Sequence, residues 1–169
     1  MKDLKNKKIF LVTGSAGFVG YHVTKRLLEL GHIVHGIDLM TASYYDPLLK
    51  EARLNVFKNS SNYIHHKIDL ANTAAVKKIQ TDVGNIDIII HLAAQGCVLR
   101  SFEFPHEYVQ DNIVSFQNIL ELYSSNKSKS MGAATKWISR NIPDSLLWSQ
   151  PHDAESLWQP QRCSAPKTV

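Results

Sequence analysis

No apolar run in the 169 residues approaches the ~20 needed to span a bilayer, so a membrane partner is not expected. Cysteine is nearly absent. The two present, Cys97 and Cys163, lie far apart without metal-ligand spacing and read as reduced cytosolic thiols. A basic stripe interleaved with aromatics is also missing. The net charge of +4 is mild and the lysines are scattered, so nucleic acid is not an expected partner. Residues 1–8 are basic, but they lead into a strand and a glycine turn, not into the apolar core and cleavage site of a signal peptide. These absences set the expectation of a cytoplasmic chain of about one domain, long enough to bury a core.

What the chain does have is concentrated after residue 8. The apolar run Lys8-Ile9-Phe10-Leu11-Val12-Thr13 ends in Gly14-Ser15-Ala16-Gly17-Phe18-Val19-Gly20. A strand that stops in a glycine-rich turn and restarts as a helix suits a pyrophosphate. Glycine lets the backbone turn sharply and approach phosphates closely, and the helix start offers unpaired N–H groups and a positive dipole end. The spacing is G-x-x-G-x-x-G, and a lone glycine triplet carries little weight without its context. Here the context agrees. Phe18, Val19, Val23, Leu27, Leu28 and Leu30 form a helical stripe that Gly31 can stop. Ile33-Val34-His35-Gly36-Ile37 then reads as a buried strand ending at Asp38. A carboxylate there is placed to accept from both ribose hydroxyls of adenosine and to repel a 2′-phosphate, which reads as NAD over NADP. The bland alternative is a loop cap.

Further on, Pro47 suits the first turn of a helix, with Leu48, Leu49, Ala52, Val56 and Phe57 as its expected buried side. Tyr63 to Ile68 alternates as a third strand before Asp69 and Leu70. These two would lie near the adenine edge, although a cap for the helix starting near Asn72 is an equally good reading. Residues 74–83 form a modest helix. The run from Ile86 to Ala94 is the clearest strand, apolar enough to be covered on both faces, and Ala93 and Ala94 at its end let a cofactor lie against the backbone. A long helix is expected from His106 to Asn126, with Val109, Ile113, Phe116, Ile119, Leu120 and Leu122 apolar. The order β-α-β-α-β-α-β-α implies an α/β fold with a parallel sheet and a ligand crevice at the strands' carboxyl ends.

The residues resemble the extended short-chain dehydrogenase/reductases that act on nucleotide sugars, of the UDP-glucuronate 4-epimerase type. The resembling segments are residues 11–20, Tyr44-Tyr45-Asp46, residues 49–54, His91-Leu92-Ala93-Ala94-Gln95, residues 105–109, Asn112 and residues 118–121. The resemblance implies a Rossmann-like parallel sheet with helices on both faces. It also implies NAD contacts from Gly14, Gly17, Phe18, Val19, Gly20, Asp38, Asp69 and Leu70, with Ala93, Ala94 and Gln95 near the ribose and nicotinamide half. Asn112 would hold the loops at the site. A UDP-sugar would be the substrate of the intact family, and the 106–126 helix is one candidate surface for a homodimer. One local departure falls at Gly96-Cys97-Val98-Leu99-Arg100-Ser101, where the arginine is displaced by one place.

The family's chemistry is a transient oxidation at C4 of the sugar, with a tyrosine base and a lysine four residues later, after a fifth strand and serine turn. This chain goes instead from Ser130-Met131 straight to Gly132-Ala133-Ala134-Thr135-Lys136, with Gly132 where the tyrosine would stand or with the serine turn deleted. Tyr123 and Lys127 have the right spacing but precede the expected strand, and read as a chance match. No catalytic residue is therefore expected. Trp137, Trp148, Trp158 and four of six prolines follow Lys136, a break in composition. The expected organisation is a partial NAD-binding domain over 1–131, truncated after about four strands. An irregular, atypical C-terminal tail follows over 132–169, read as out of frame or disordered after a gene disruption. His65-His66 suggests no metal site, because adjacent strand residues point to opposite faces.

Overall fold

The structure is a computed structural model that describes residues 7–41, 46–125 and 130–133. The chain alternates β1 (Ile9–Thr13), α1 (Phe18–Glu29), β2 (Ile33–Ile37), α2 (Pro47–Asn55), β3 (Tyr63–His66), α3 (Thr73–Val83) and β4 (Ile88–His91). After β4 come α4 (Val98–Glu103), α5 (Pro105–Tyr108), a π-helical turn (Val109–Val114), α6 (Ser115–Ser125) and β5 (Ser130–Ala133). The strands form one parallel sheet in the order β3-β2-β1-β4-β5. The order reverses between β1 and β4, which opens a crevice at their carboxyl ends.

Two cores explain the near-continuous apolar strands. Leu11, Ile37 and Ile89 face α3 and α6 through Val76, Ile79, Ile119 and Leu122. Phe10, Val12, Val34 and Ile90 face α1 through Val23 and Leu27. Successive residues of β1 and β4 thus enter opposite cores, as side-chain alternation in a strand requires. Helices cover both faces, as expected of this fold.

Four expectations need correction. The sheet has a fifth strand where about four were expected: β5 pairs with β4 from Ile88–Ser130 to His91–Ala133. It contains no β-branched residue, so its pairing comes from the open ladder edge of β4. The strand expected over 86–94 spans only Ile88–His91: Asp87 ties down its entry, its Oδ2 accepting from Ile9 N at 2.9 Å, and beyond its end the Thr13 hydroxyl takes the Leu92 and Ala93 N–H groups. The apolar stripe of α2 is not buried. Leu48, Leu49 and Val56 are exposed and only Phe57, beyond the helix, enters the core. The long helix from 106 is interrupted by the π turn, and Val109, Ile113 and Leu120 lie on its exposed side. The tail from residue 134 and Lys127 lie outside the described residues. No helix among the described residues is long and apolar enough to cross a membrane.

Candidate functional site

The glycine turn sits where β1 meets β4. Gly14 has φ +68°, and a Cβ there would stand 2.9 Å from Ala93 N and 3.0 Å from Ala93 Cα. Both the left-handed backbone and the close approach call for glycine. Gly17 N donates to Gly14 O at 3.0 Å, closing the turn. Gly17 is also the N-cap of α1, which has no side-chain cap and no acidic residue in its first turn. The first N–H groups of α1 therefore face outward without an intrahelical acceptor, a suitable donor set for an anion. Phe18 and Val19 are exposed, so any role at this helix start falls to their backbone. Gly20 lets α1 lie directly on the turn: its Cβ would fall within the van der Waals shell of the Gly14 carbonyl.

Thr13 is a residue that sequence reasoning missed. Its Oγ1 accepts from Leu92 N at 3.0 Å and Ala93 N at 3.1 Å, locking the ends of β1 and β4 together. Having taken two donors, the hydroxyl directs its own proton to His91 Nδ1, 2.8 Å away. His91 is thereby held neutral with its proton on Nε2, and burial pushes its pKa down to about 4.

Asp38 closes the other side of the turn. It is 7% exposed. Its Oδ2 accepts from Ala16 N at 3.2 Å, and its Oδ1 accepts from Met40 N at 3.0 Å and from Lys50 Nζ at 2.9 Å. Arg53, one turn along α2 from Lys50, donates from Nη1 to Ala16 O at 3.1 Å. The loop-cap and ligand readings of Asp38 are therefore not exclusive: the carboxylate fixes the glycine turn while standing at its mouth. Neither cation was given a role by the sequence; the available signal was a lysine and an arginine three apart on the helix after Asp38. Beside them, the Tyr63 hydroxyl packs over Gly36 and Ser15, 3.3 Å from Ser15 Oγ. Burial, against an opposing hydrogen bond from Ser15 and with Asp38 adding to it, pushes Tyr63 up to about 12.

At the end of β3, Asn72 is the N-cap of α3, its Oδ1 accepting from Ala75 N. Asp69 makes a tight turn with Ala71 N at 2.8 Å and remains exposed. Leu70 is buried in the core facing α3 and α6, and Asn118 Nδ2 donates to its carbonyl at 2.8 Å. This buried asparagine, unforeseen in the sequence, sets the β3–α3 loop from α6. After β4, Asn112 Oδ1 accepts from Gln95 N at 2.7 Å and its Nδ2 donates to Gln95 O at 3.0 Å. That is the loop-holding role the resemblance implied for Asn112. The π turn presents Asn112 together with Asp111, which accepts from the Gln95 side chain. Such turns recur at functional sites. Ala93 is half-buried and Ala94 exposed. A cavity of about 410 Å³ borders Gln95, lined by Leu39, Arg100, His106, Gln110 and Asp111 among others.

All the expected site residues thus lie at the carboxyl end of the sheet. Tyr123 does not join them; it packs against the core facing α3 and α6. Cys97, half-buried, is disulfide-bonded, which corrects the expectation of a reduced thiol there. No group of three or more His, Cys, Asp or Glu among the described residues could hold a metal.

Known proteins resemble this chain in sequence and in fold. The UDP-glucuronate 4-epimerase of Thermodesulfobacterium geofontis is 43% identical over 113 residues, 67% of this chain and 34% of that protein. A probable UDP-glucuronate 4-epimerase of Rhizobium meliloti is 43% identical over 67% of this chain and 33% of its own length. Among solved structures, UDP-glucuronic acid 4-epimerase from Bacillus cereus, in complex with UDP-glucuronic acid and NAD, has a TM-score of 0.65 at 30% identity. The match covers 74% of this chain and 39% of that one. The chain thus spans about a third of the length of the curated relatives it matches. The model of the GDP-mannose 4,6-dehydratase family matches residues 11–136, from within β1 to beyond β5 and so across the whole sheet; the chain belongs to that family.

Proposed function

We propose that this chain is the NAD-binding part of a nucleotide-sugar 4-epimerase of the UDP-glucuronate type, with the dinucleotide-binding domain over 1–131 and a distinct tail over 132–169. One observation carries the reading: the Gly14–Gly20 turn opens on the uncapped start of α1 while Asp38, bonded to Ala16 N, stands at the same mouth. The pyrophosphate would lie against Gly14 and Gly17 and on the N–H groups of Phe18, Val19 and Gly20. The adenosine ribose would lie on Asp38 and the adenine near Asp69 and Leu70, with the ribose and nicotinamide half along Ala93, Ala94 and Gln95. When bound, NAD supplies the hydride acceptor; the residues named here bind and orient it. The intact enzyme would act in the cytoplasm on a UDP-sugar. No catalytic base is assigned, so the second reading is a catalytically silent NAD-binding module.

Titration with NAD tests the first part. Saturable binding is expected, and Asp38→Asn should weaken it roughly 10- to 100-fold, the loss of a charged acceptor to hydroxyl donors. Absence of saturable binding by the folded chain would overturn the proposal. Incubation with UDP-glucuronate and NAD separates the two readings. No epimer is expected from this chain alone, and any 4-epimer formed would eliminate the silent module.

We also propose a homodimer through the 106–126 helix, supported by the exposed Val109 and Ile113 on its π turn and Leu120 on α6. Sedimentation should show a dimer at micromolar concentration, and Ile113→Asp should shift it to monomer by placing a charge in an apolar contact. A wild-type chain sedimenting as a monomer would refute the pairing.

A further inference from the structure

Helix α4 carries an apolar face that no described residue covers. Val98, Leu99 and Phe102 are 63%, 68% and 79% exposed, and no residue of α4 is buried. Spacings of four and three put Val98 and Leu99 beside Phe102 on one side of the helix. Arg100 falls on the other side, where its Nη2 lies 3.1 Å from Glu107 Oε2 of α5 and its guanidinium stands 4.3 Å over the Phe104 ring. The Tyr108 hydroxyl donates to the Cys97 carbonyl and fixes the start of α4 on α5. The helix is thus anchored through its polar side and turns its apolar side outward. An exposed apolar patch with a polar rim marks a contact surface.

The occupant is indicated by Cys97, the N-cap of α4. It is disulfide-bonded, and the sequence has one other cysteine, Cys163. Cys163 lies outside the described residues; the cysteine count assigns it the second sulfur within the chain. We propose that the segment 157–163 docks on α4, Leu157 and Trp158 covering Leu99 and Phe102, with the Cys97–Cys163 disulfide as its tether. The lengths agree. Phe102 is about 7.5 Å along the helix axis from Cys97, and the chain from Cys163 back to Trp158 reaches at most about 17 Å. The return path is open, because β5 ends at Ala133 opposite His91, at the same end of the sheet as the loop that carries Cys97. So short a tether holds Leu157 and Trp158 beside the patch at an effective concentration on the order of millimolar. An apolar contact too weak to retain a separate peptide therefore forms here. The assignment does not depend on the dinucleotide reading.

The sequence has three tryptophans, so Trp137→Phe with Trp148→Phe leaves Trp158 as the sole indole of the full chain. Without reductant its emission should be blue-shifted and shielded from acrylamide. Phe102→Asp in that background should raise the quenching constant roughly two- to threefold, because covering a carboxylate with apolar groups is unfavourable. Dithiothreitol reduces the bond to two thiols and is itself oxidised to a cyclic disulfide, and it should do the same by releasing the tether. Ile64→Asp, at an exposed apolar position of β3 on the far edge of the sheet, should change nothing. Circular dichroism separates undocking from unfolding, and Leu99→Asp serves if Phe102→Asp does not fold. Peptide mapping of material with monomer mass under denaturing conditions should find the Cys97 and Cys163 peptides joined. A Trp158 as accessible before Phe102→Asp as after it would overturn the proposal, and so would a disulfide that links two chains.

Discussion

Gly20→Ala is expected to abolish tight dinucleotide binding, weakening NAD by roughly 100-fold or more, and to lower the melting temperature by roughly 5–10 °C. The added atom is a single methyl group, but it has nowhere to go. It would fall inside contact distance of the Gly14 carbonyl oxygen, 2.7 Å from Gly14 C and 3.0 Å from Ser15 Cα. All three are main-chain atoms, so no side chain can rotate away and relieve the overlap. Either α1 lifts off the sheet, at the cost of its contacts through Val23 and Leu27, or the turn moves. Gly14 has little room to move, because even one added carbon there would stand 2.9 Å from Ala93 N, which Thr13 holds by its backbone N–H. The matched control is Gly96→Ala. A Cβ there meets nothing within 4 Å, so its effect should stay within about 0.5 kcal/mol. Equal melting temperatures and equal NAD affinities for the two variants would show that close helix–turn packing is not what Gly20 provides.

The contrast between these glycines also shows what the sequence could disclose. Glycine spacing, the stripe of α1, β2 ending at Asp38 and the isoleucines of β4 are local patterns, and each was legible because local backbone geometry requires it. The bonds that join these elements are not local. Thr13 reaches Leu92 and Ala93, Asn118 reaches Leu70, and Lys50 reaches back to Asp38; in the sequence each is an ordinary polar residue within a periodic segment. The role of Asn112 could be anticipated only through resemblance. Periodicity misled at α2, because an apolar stripe states what a helix could bury and not whether a surface is there to cover it. Propensity misled at β5, where Ser130, Met131, Gly132 and Ala133 offer no strand signal and the neighbouring ladder supplies the order.

Stability should fall steeply on mild acidification, and His91 should account for a large share of the fall. Its Nδ1 must accept the Thr13 proton, because the Thr13 oxygen already receives Leu92 N and Ala93 N. Burial holds its pKa at about 4 against an ordinary 6.5. His35 Nδ1 lies 2.9 Å from His66 Nε2 with the rings stacked, a contact that needs one nitrogen unprotonated. Burial lowers both, with the neighbouring His66 adding to the effect on His35 and Asp82 opposing it on His66. Burial also lowers His65, against the pull of Asp38. In every case the folded pKa lies below the unfolded one, so below pH 6.5 the unfolded chain binds more protons. The stabilisation is complete above about pH 6.5 and is lost as pH falls towards the folded values, for His91 near pH 4. Its shift corresponds to about 3 kcal/mol at most, before allowance for solvent reaching the ring. The melting temperature should therefore be flat from pH 8 to 7 and drop progressively from pH 6.5 to 4.5. His91→Gln keeps an acceptor for the Thr13 hydroxyl but cannot titrate, and should flatten that drop measurably while costing some stability at pH 8. A His91→Gln curve parallel to the wild type throughout would mean that protonation of this ring plays no part in the acid transition, and that the Thr13 hydroxyl directs its proton elsewhere.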